Sequence, residues 1–217
     1  MLGRSITRNG VILSLFALLT TGALAFIYDQ TAERIVVQER LAAERALLEI
    51  VSRDDHDNDM LADRLSPGEA LRTQLHIDKD SELFIARQAG EATAVIVPSV
   101  AADGYGGAIK LLVGIHRDGR IAGVRVLNHK ETPGLGDKIE LAKSDWILSF
   151  KGKSLKNPPP EKWKVKKDGG VFDQFTGATI TPRAVVNQIK QSLQAVEQAH
   201  NTIFEDKQSS SVGEPKL

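Results

Sequence analysis

The stretch "DQFTGATITPRAVV", residues 173–186, carries three hydroxyls, on Thr176, Thr179 and Thr181, just before a helical pattern. A threonine there can cap a helix, shape a loop or take part in an ester. Thr181 followed by Pro182 predicts a helix start, with a hydroxyl N-cap and then proline at the first helical position, where its missing N–H costs nothing. Gly177 and Ala178 are small enough to let a ligand approach the backbone. The loop also leads into a helix N-terminus, whose unclaimed N–H groups and dipole favour an anion, phosphate being the obvious one. On these residues alone, a capped turn and a phosphate loop both stand.

Several chemistries are excluded. No lysine follows in the spacing of a nucleotide-hydrolysing P-loop, and no Ser/His/Asp arrangement accompanies the threonines to activate a hydroxyl for acyl transfer. Without cysteine there can be no disulfide, zinc-thiolate site, iron–sulfur ligation or thiol nucleophile, so redox chemistry would need a bound cofactor. The 28 basic and 28 acidic residues balance, which removes the general electrostatic case for nucleic acid as a partner. "RDDHDNDM" imitates a calcium loop through Asp55, Asp57 and Asp59, but Met60 stands where glycine is needed and Ser66 where glutamate is; it reads as a solvated acidic turn. His116 and His129 have no metal-ligand spacing and read as structural or surface residues.

The elements that must position this loop begin at a membrane signal. Residues 1–9 form a basic N-terminus with Arg4 and Arg8, and Gly10 to Tyr28 is a charge-free run of 19 residues. About 20 apolar residues cross a hydrocarbon core as a helix. The basic flank predicts a cytoplasmic N-terminus and an outward-facing remainder. Ala23-Leu24-Ala25 has the small-x-small pattern of a cleaved signal peptide, whereas the apolar run continuing through Phe26, Ile27 and Tyr28 favours an uncleaved anchor. Residues 29–80 read as a helical stalk or packing segment, amphipathic up to Arg53.

From 81 to 204 a folded domain is expected. "ELFIAR" and "ATAVIVP" flank Gln88 to Glu91, while "GAIKLLVGIH" and "RIAGVRVLNH" flank Asp118-Gly119, a strong hairpin signal. Two hairpins in series predict an antiparallel sheet, and no dinucleotide-binding strand, glycine turn and helix unit appears. A Pro/Gly loop and a short helix from about Asp137 follow. The lysine-rich segment 151–170 is expected at the surface. Pro182 to about Phe204 is predicted helical, with Val185, Val186, Ile189, Leu193 and Val196 on one side, and 205–217 is expected to be a disordered tail.

Asp173-x-x-Thr176-Gly177-Ala178-Thr179 resembles the motif of FMN-binding domains that receive flavin covalently from a flavin transferase. "YGG" at 105–107 and "HKETPGLG" at 129–136 resemble that family's other two glycine signatures, in the family's order. With the single anchor, the whole chain resembles the G subunit family of the Rnf (Rsx) electron transport complexes. The C subunit of the sodium-pumping NADH:quinone reductase shares the threonine motif on a longer chain and ranks second.

The resemblance implies an α+β fold, with one transmembrane helix followed by a curved, mainly antiparallel sheet packed against helices. It also implies FMN held by a phosphoester at Thr179, with Asp173, Thr176, Gly177 and Ala178 shaping and identifying the loop and Thr181 counted with them among the cofactor-binding residues. For the ring it directs attention to Glu131, Thr132, Pro133, Gly134, Leu135 and Gly136: Thr132 and backbone amides of Gly134 to Gly136 as hydrogen-bond partners, Leu135 as an apolar contact. Tyr105, Gly106 and Gly107 would flank it. Glu131 is either a carboxylate near the flavin or a solvated loop residue. Implied with the family are the other membrane subunits of an Rnf/Rsx complex as partners and a flavin transferase for maturation. So are a bacterial inner-membrane location with the main domain periplasmic, and electron carriage between ferredoxin and NAD rather than an independent enzymatic activity. A cofactor-free periplasmic scaffold is the alternative of a different class.

Overall fold

The computed structural model describes residues 2–205, so all but the first residue of the expected tail, 206–217, lies outside the described residues. The chain divides into two compact units between Arg45 and Ala46.

The first unit is the greater part of one helix, α1 (Leu2–Leu48). Its stretch Arg8–Phe26, 19 residues, is long and apolar enough to cross a membrane. The side chains that make it so, among them Leu13, Phe16, Leu18 and Leu24, are exposed. Such a surface suits hydrocarbon rather than water.

In the second unit the chain leaves the helical path after Leu48, short of the expected end at Arg53, and buries Leu47, Ile50 and Val51. Beyond a two-residue strand β1 (Arg64–Leu65) and helix α2 (Glu69–Leu75) come the four long strands. These are β2 (Leu83–Gln88), β3 (Glu91–Ala101), β4 (Ile109–His116) and β5 (Ile121–Asn128). They form one antiparallel sheet in sequence order, β1-β2-β3-β4-β5. Both expected hairpins are present. Ala89 and Gly90 turn the first with φ of 51° and 82°, and Gly119 turns the second with φ of 83°. Left-handed turn residues match the right-handed twist of the flanking strands.

The sheet is buried on both faces. Val95, Val97, Leu111, Val113, Ile115 and Val124 alternate onto one side, packing with Val185, Val186, Ile189, Leu193 and Val196 of α3 (Ile180–Gln198). The five predicted apolar positions of that helix are all inside. A short helix α4 (His200–Phe204) adds Ile203 and Phe204 to the same layer. The opposite side, with Ala94, Ile96, Leu112 and Ala122, is covered by Leu47, Ile50, Val51, Met60 and Leu61. Here Gly114 and Gly123, partners across β4 and β5, let the chain lie directly on the sheet. A Cβ on Gly114 would stand 2.2 Å from the Ile50 Cγ2, and one on Gly123 3.2 Å from the Ile50 Cα.

The lysine-rich segment expected at the surface contributes to the core instead. Lys162, Lys164 and Lys166 point outward while Trp163 and Val165 between them are fully buried. Val165 itself is extended and bridges Phe172, while the 3₁₀ turns Pro160–Lys162 and Lys166–Asp168 on either side carry the flanking lysines at the surface. Both tryptophans join Phe150, Phe172 and Phe175 in one aromatic cluster: Phe150 stacks on Phe172 at 4.6 Å, and Trp146 meets Phe175 edge-on at 5.2 Å. The acidic stretch 53–60 serves as a structural corner. Asp57 accepts the Ala89 N–H and Asp59 the Leu61 N–H, while Asn58 donates to the Ile85 carbonyl.

Candidate functional site

The threonine loop is pinned at its start by the aromatic cluster. Phe172 and Phe175 are buried on either side of Asp173, whose carbonyl accepts the Trp146 indole N–H at 2.8 Å. The Asp173 carboxylate itself is exposed and pairs with the Lys166 ammonium at 2.5 Å. Gln174 accepts the Lys167 N–H. Past Phe175 the chain turns tightly through Thr176 and Gly177, closed by the Ala178 N–H to the Phe175 carbonyl at 3.1 Å. Gly177 has φ of 79°, the left-handed region that glycine enters at no steric cost.

The helix starts two residues earlier than the sequence predicts. Thr179 occupies the N-cap position, α3 begins at Ile180, and Pro182 is the third helical residue instead of the first. Thr181 is therefore not the cap, and it is completely buried. Its hydroxyl donates to Glu131 Oε2 across a separation of 50 residues. A cap hydroxyl must turn back toward the first free amides; inside the first turn Thr181 faces the domain and meets a carboxylate. Thr179 is half-buried, makes no cap hydrogen bond, and its hydroxyl has no partner among the described residues. It stands beside the unclaimed N–H groups of the first turn, where an anion gains from both hydrogen bonds and dipole.

Glu131 is neither solvated nor ambiguous in its contacts. It is 5% exposed, with Oε1 accepting the Gly106 N–H at 2.8 Å and Oε2 accepting from Thr181. Its own N–H is accepted by Nδ1 of His129, whose Nε2 lies 2.6 Å from Glu140 Oε1. The imidazole is thus the tautomer with its proton on Nε2, donating to Glu140. One carboxylate joins all three glycine-bearing stretches, and close packing around it explains two of the glycines. A Cβ on Gly106 would sit 2.0 Å from the Lys130 carbonyl oxygen, and one on Gly136 2.8 Å from Glu131 Oε2.

The other expected site residues lie around this knot. Thr132, Pro133, Gly134 and Leu135 are exposed, with Leu135 Cδ2 3.7 Å from where a Cβ on Gly177 would be. Leu135 and Gly136 both donate their amides to the Thr132 carbonyl at 3.1 Å, so of the three amides expected to serve a ligand only that of Gly134 is uncommitted among the described residues. Gly107 and Gly134, with φ of 108° and 78°, border open space, as backbone that a cofactor approaches would. Tyr105 is 70% exposed at the rim, and Ile180, which sequence reasoning passed over, presents a half-exposed apolar side chain one residue beyond Thr179. Arg183, one turn beyond Thr179, makes a two-point ion pair with Asp168 at 2.7 and 3.0 Å. Those guanidinium hydrogen bonds hold the Asp168 carboxyl below the ordinary aspartate range. Asp137 was missed as well: it is nearly buried, and its Oδ1 is the buried side-chain oxygen without a hydrogen-bond partner among the described residues. A charge directly after a glycine loop gives no sequence cue about burial.

This arrangement offers a free hydroxyl at a helix N-terminus, open backbone at the left-handed glycines Gly107 and Gly134 and an exposed apolar rim. That donor set fits a phosphate-bearing, planar cofactor. Residues 104–194 match the FMN-binding domain family, and residues 1–50 match the RnfG N-terminal region. The chain is 46% identical to the G subunit of the ion-translocating oxidoreductase complex of Vibrio atlanticus, over 92% of this chain and 94% of that protein. Against the corresponding G subunits of Shewanella loihica and Pseudomonas aeruginosa identity is 49% and 50%, each over 88% of this chain and 89% and 88% of the relative.

Proposed function

Because the chain belongs to the G subunit family of ion-translocating oxidoreductase complexes, we propose that Thr179 is where it holds its FMN, as a phosphoester of the threonine hydroxyl. The protein is a membrane-anchored flavoprotein subunit that carries electrons within such a complex. The observation that carries the site assignment is the Thr179 hydroxyl. It is accessible, free of any cap bond, and set at the N-terminus of α3.

Bound FMN supplies reversible electron transfer; the protein's part is retention and placement. Esterification leaves the phosphate one negative charge, which the first-turn amides of Ile180 and Thr181 stabilise, by about 0.3–1 kcal/mol where exposed. Pro182 has no amide to add, so the donors end with Thr181. Leu135 and Ile180 offer apolar contact to the ring, Tyr105 flanks it, and the Gly134 amide and Thr132 hydroxyl are the available donors. Glu131 acts at one remove: it binds Gly106 and Thr181 and so fixes the three loops against one another. The exposed part of the loop, Asp173 with Thr176-Gly177-Ala178, is the surface a flavin transferase reads.

Arg4 and Arg8 before the charge-free run 10–28, with Asp29 after it, support a cytoplasmic N-terminus and a periplasmic FMN domain in a bacterial inner membrane. Outside the cytosol a dissociated flavin is lost, and a covalent bond makes retention independent of affinity. The partners are the other subunits of the complex, with electrons passing between ferredoxin and NAD.

The test is the full chain produced together with a flavin transferase. Wild type is expected to stay fluorescent in a denaturing gel and to show the mass of one added FMN. Thr179→Ala is expected to lose both while keeping the fold, whereas Thr176→Ser and Thr181→Ser keep the flavin. Flavin persisting on Thr179→Ala would sink the assignment.

A further inference from the structure

Two carboxylates of one loop stand in opposite situations. Glu131 is buried with both oxygens engaged, by the Gly106 amide and the Thr181 hydroxyl. Asp137, six residues on in the 3₁₀ turn Gly136–Ile139, is 7% exposed, and its buried Oδ1 has no hydrogen-bond partner among the described residues. Native proteins pair buried polar atoms, because an unmet acceptor keeps its full desolvation penalty; each exception calls for a missing partner. A carboxylate accepts and cannot donate, so the missing partner is a donor.

The position of the turn narrows which donor. Gly136, next to Asp137, packs so closely on Thr181 that a Cβ there would stand 2.9 Å from the Thr181 hydroxyl, and Leu135 Cδ2 lies 3.7 Å from where a Cβ on Gly177 would be. The loop therefore lies alongside the residues on both sides of Thr179. A cofactor esterified at Thr179 presents its phosphate first, then a chain of hydroxyls, and its ring last. Phosphate oxygens only accept and carry negative charge, which a carboxylate repels; the hydroxyls donate.

The geometry points to Asp137 as a positioning residue that accepts a hydrogen bond from a ribityl hydroxyl of the bound FMN. The inference rests on the reading of Thr179 as the attachment site. Asp137 has no electron-transfer role; its effect is to take the sugar-alcohol chain out of solvent and restrict where the ring can swing. Attachment through a single ester leaves many rotatable bonds, and a fixed acceptor partway along the chain removes several of them.

The experiment uses full-length chain in detergent, made with and without a flavin transferase, to give holo and apo forms of wild type, Asp137→Ala and Asp137→Asn. In-gel fluorescence of wild type reports attachment itself; its absence removes the reading of Thr179, and this inference with it. Given attachment, Asp137→Ala is expected to narrow the gap between holo and apo melting temperatures by about 2–4 °C, the scale of one such hydrogen bond in a chain of this size. It is also expected to lower the fluorescence anisotropy of the bound flavin. Asp137→Asn keeps a carbonyl acceptor and should restore both. A merely structural aspartate would shift holo and apo equally and leave anisotropy unchanged, which overturns the proposal. Asn behaving as Ala does overturns it too, and the Asn arm stands if Asp137→Ala fails to fold.

Discussion

Thr179 and Thr181 are two residues apart and differ in everything but type. The Thr181 hydroxyl is sealed inside the domain and donates to a buried carboxylate, whereas that of Thr179 donates to nothing among the described residues. Thr181→Val keeps the shape and removes the donor, leaving Glu131 Oε2 buried and unmet. It should cost about 1–3 kcal/mol in denaturant unfolding of the apo protein, more than the roughly 1 kcal/mol of a lost cap. Thr181→Ser should recover most of this. The same change to valine at Thr179 should alter apo stability by no more than about 0.5 kcal/mol, the range for a side chain without such a partner. Equal losses at the two positions would contradict the division of labour. Thr-Pro is a strong local signal, and it places the cap at Thr181. The Thr181 hydroxyl is taken instead by Glu131, fifty positions away, and no local pattern reveals that partner.

At the scale of elements, the sheet and α3 were legible and the coverings were not. Asp118-Gly119 and the turn at Ala89-Gly90 announce their hairpins through local backbone chemistry, and the apolar spacing of α3 gives its buried face. The sequence also contains the alternation K-W-K-V-K at 162–166, but lysine count and neighbouring prolines and glycines suggested a solvated loop. The core takes the alternate residues and ignores the rest. Likewise the segment after α1 carried no mark of lying on the sheet, because its seat is an absence of side chains at Gly114 and Gly123. Gly114→Ala must push Ile50 away and should destabilise by about 1–3 kcal/mol, as overpacking does. Ile50→Ala opens a cavity and costs about 2–5 kcal/mol. Since one change makes the room the other needs, the double variant should be less destabilised than the sum of the two, by at least about 0.5 kcal/mol. Strict additivity in denaturant melts would mean Ile50 does not rest on Gly114.

Across the whole molecule, membrane attachment and cofactor retention are separate functions on separate stretches of chain. The buried core of the FMN-binding unit begins at Leu47, and none of its residues comes from the described part of the chain before Ala46. A chain lacking residues 2–40 keeps the last turns of α1 that lead into Leu47, so it should melt within about 2 °C of the full-length apo protein, the shift expected for changes of a few tenths of a kcal/mol. Exported alongside a flavin transferase, it should still acquire FMN at Thr179 and appear in the soluble fraction. What it should lose is coupling. A tether turns encounter with the next carrier into an intramolecular event at an effective concentration on the order of millimolar, far above that of a dilute soluble domain. Membranes complemented with the truncated protein should therefore show low electron transfer through the complex that rises with added domain, while full-length protein gives a rate independent of added domain. A truncated protein that is yellow, stable and as active as the anchored one at low concentration would mean the span contributes nothing beyond delivery. A colourless or unfolded one would mean that Thr179 depends on the membrane helix, against the self-contained core.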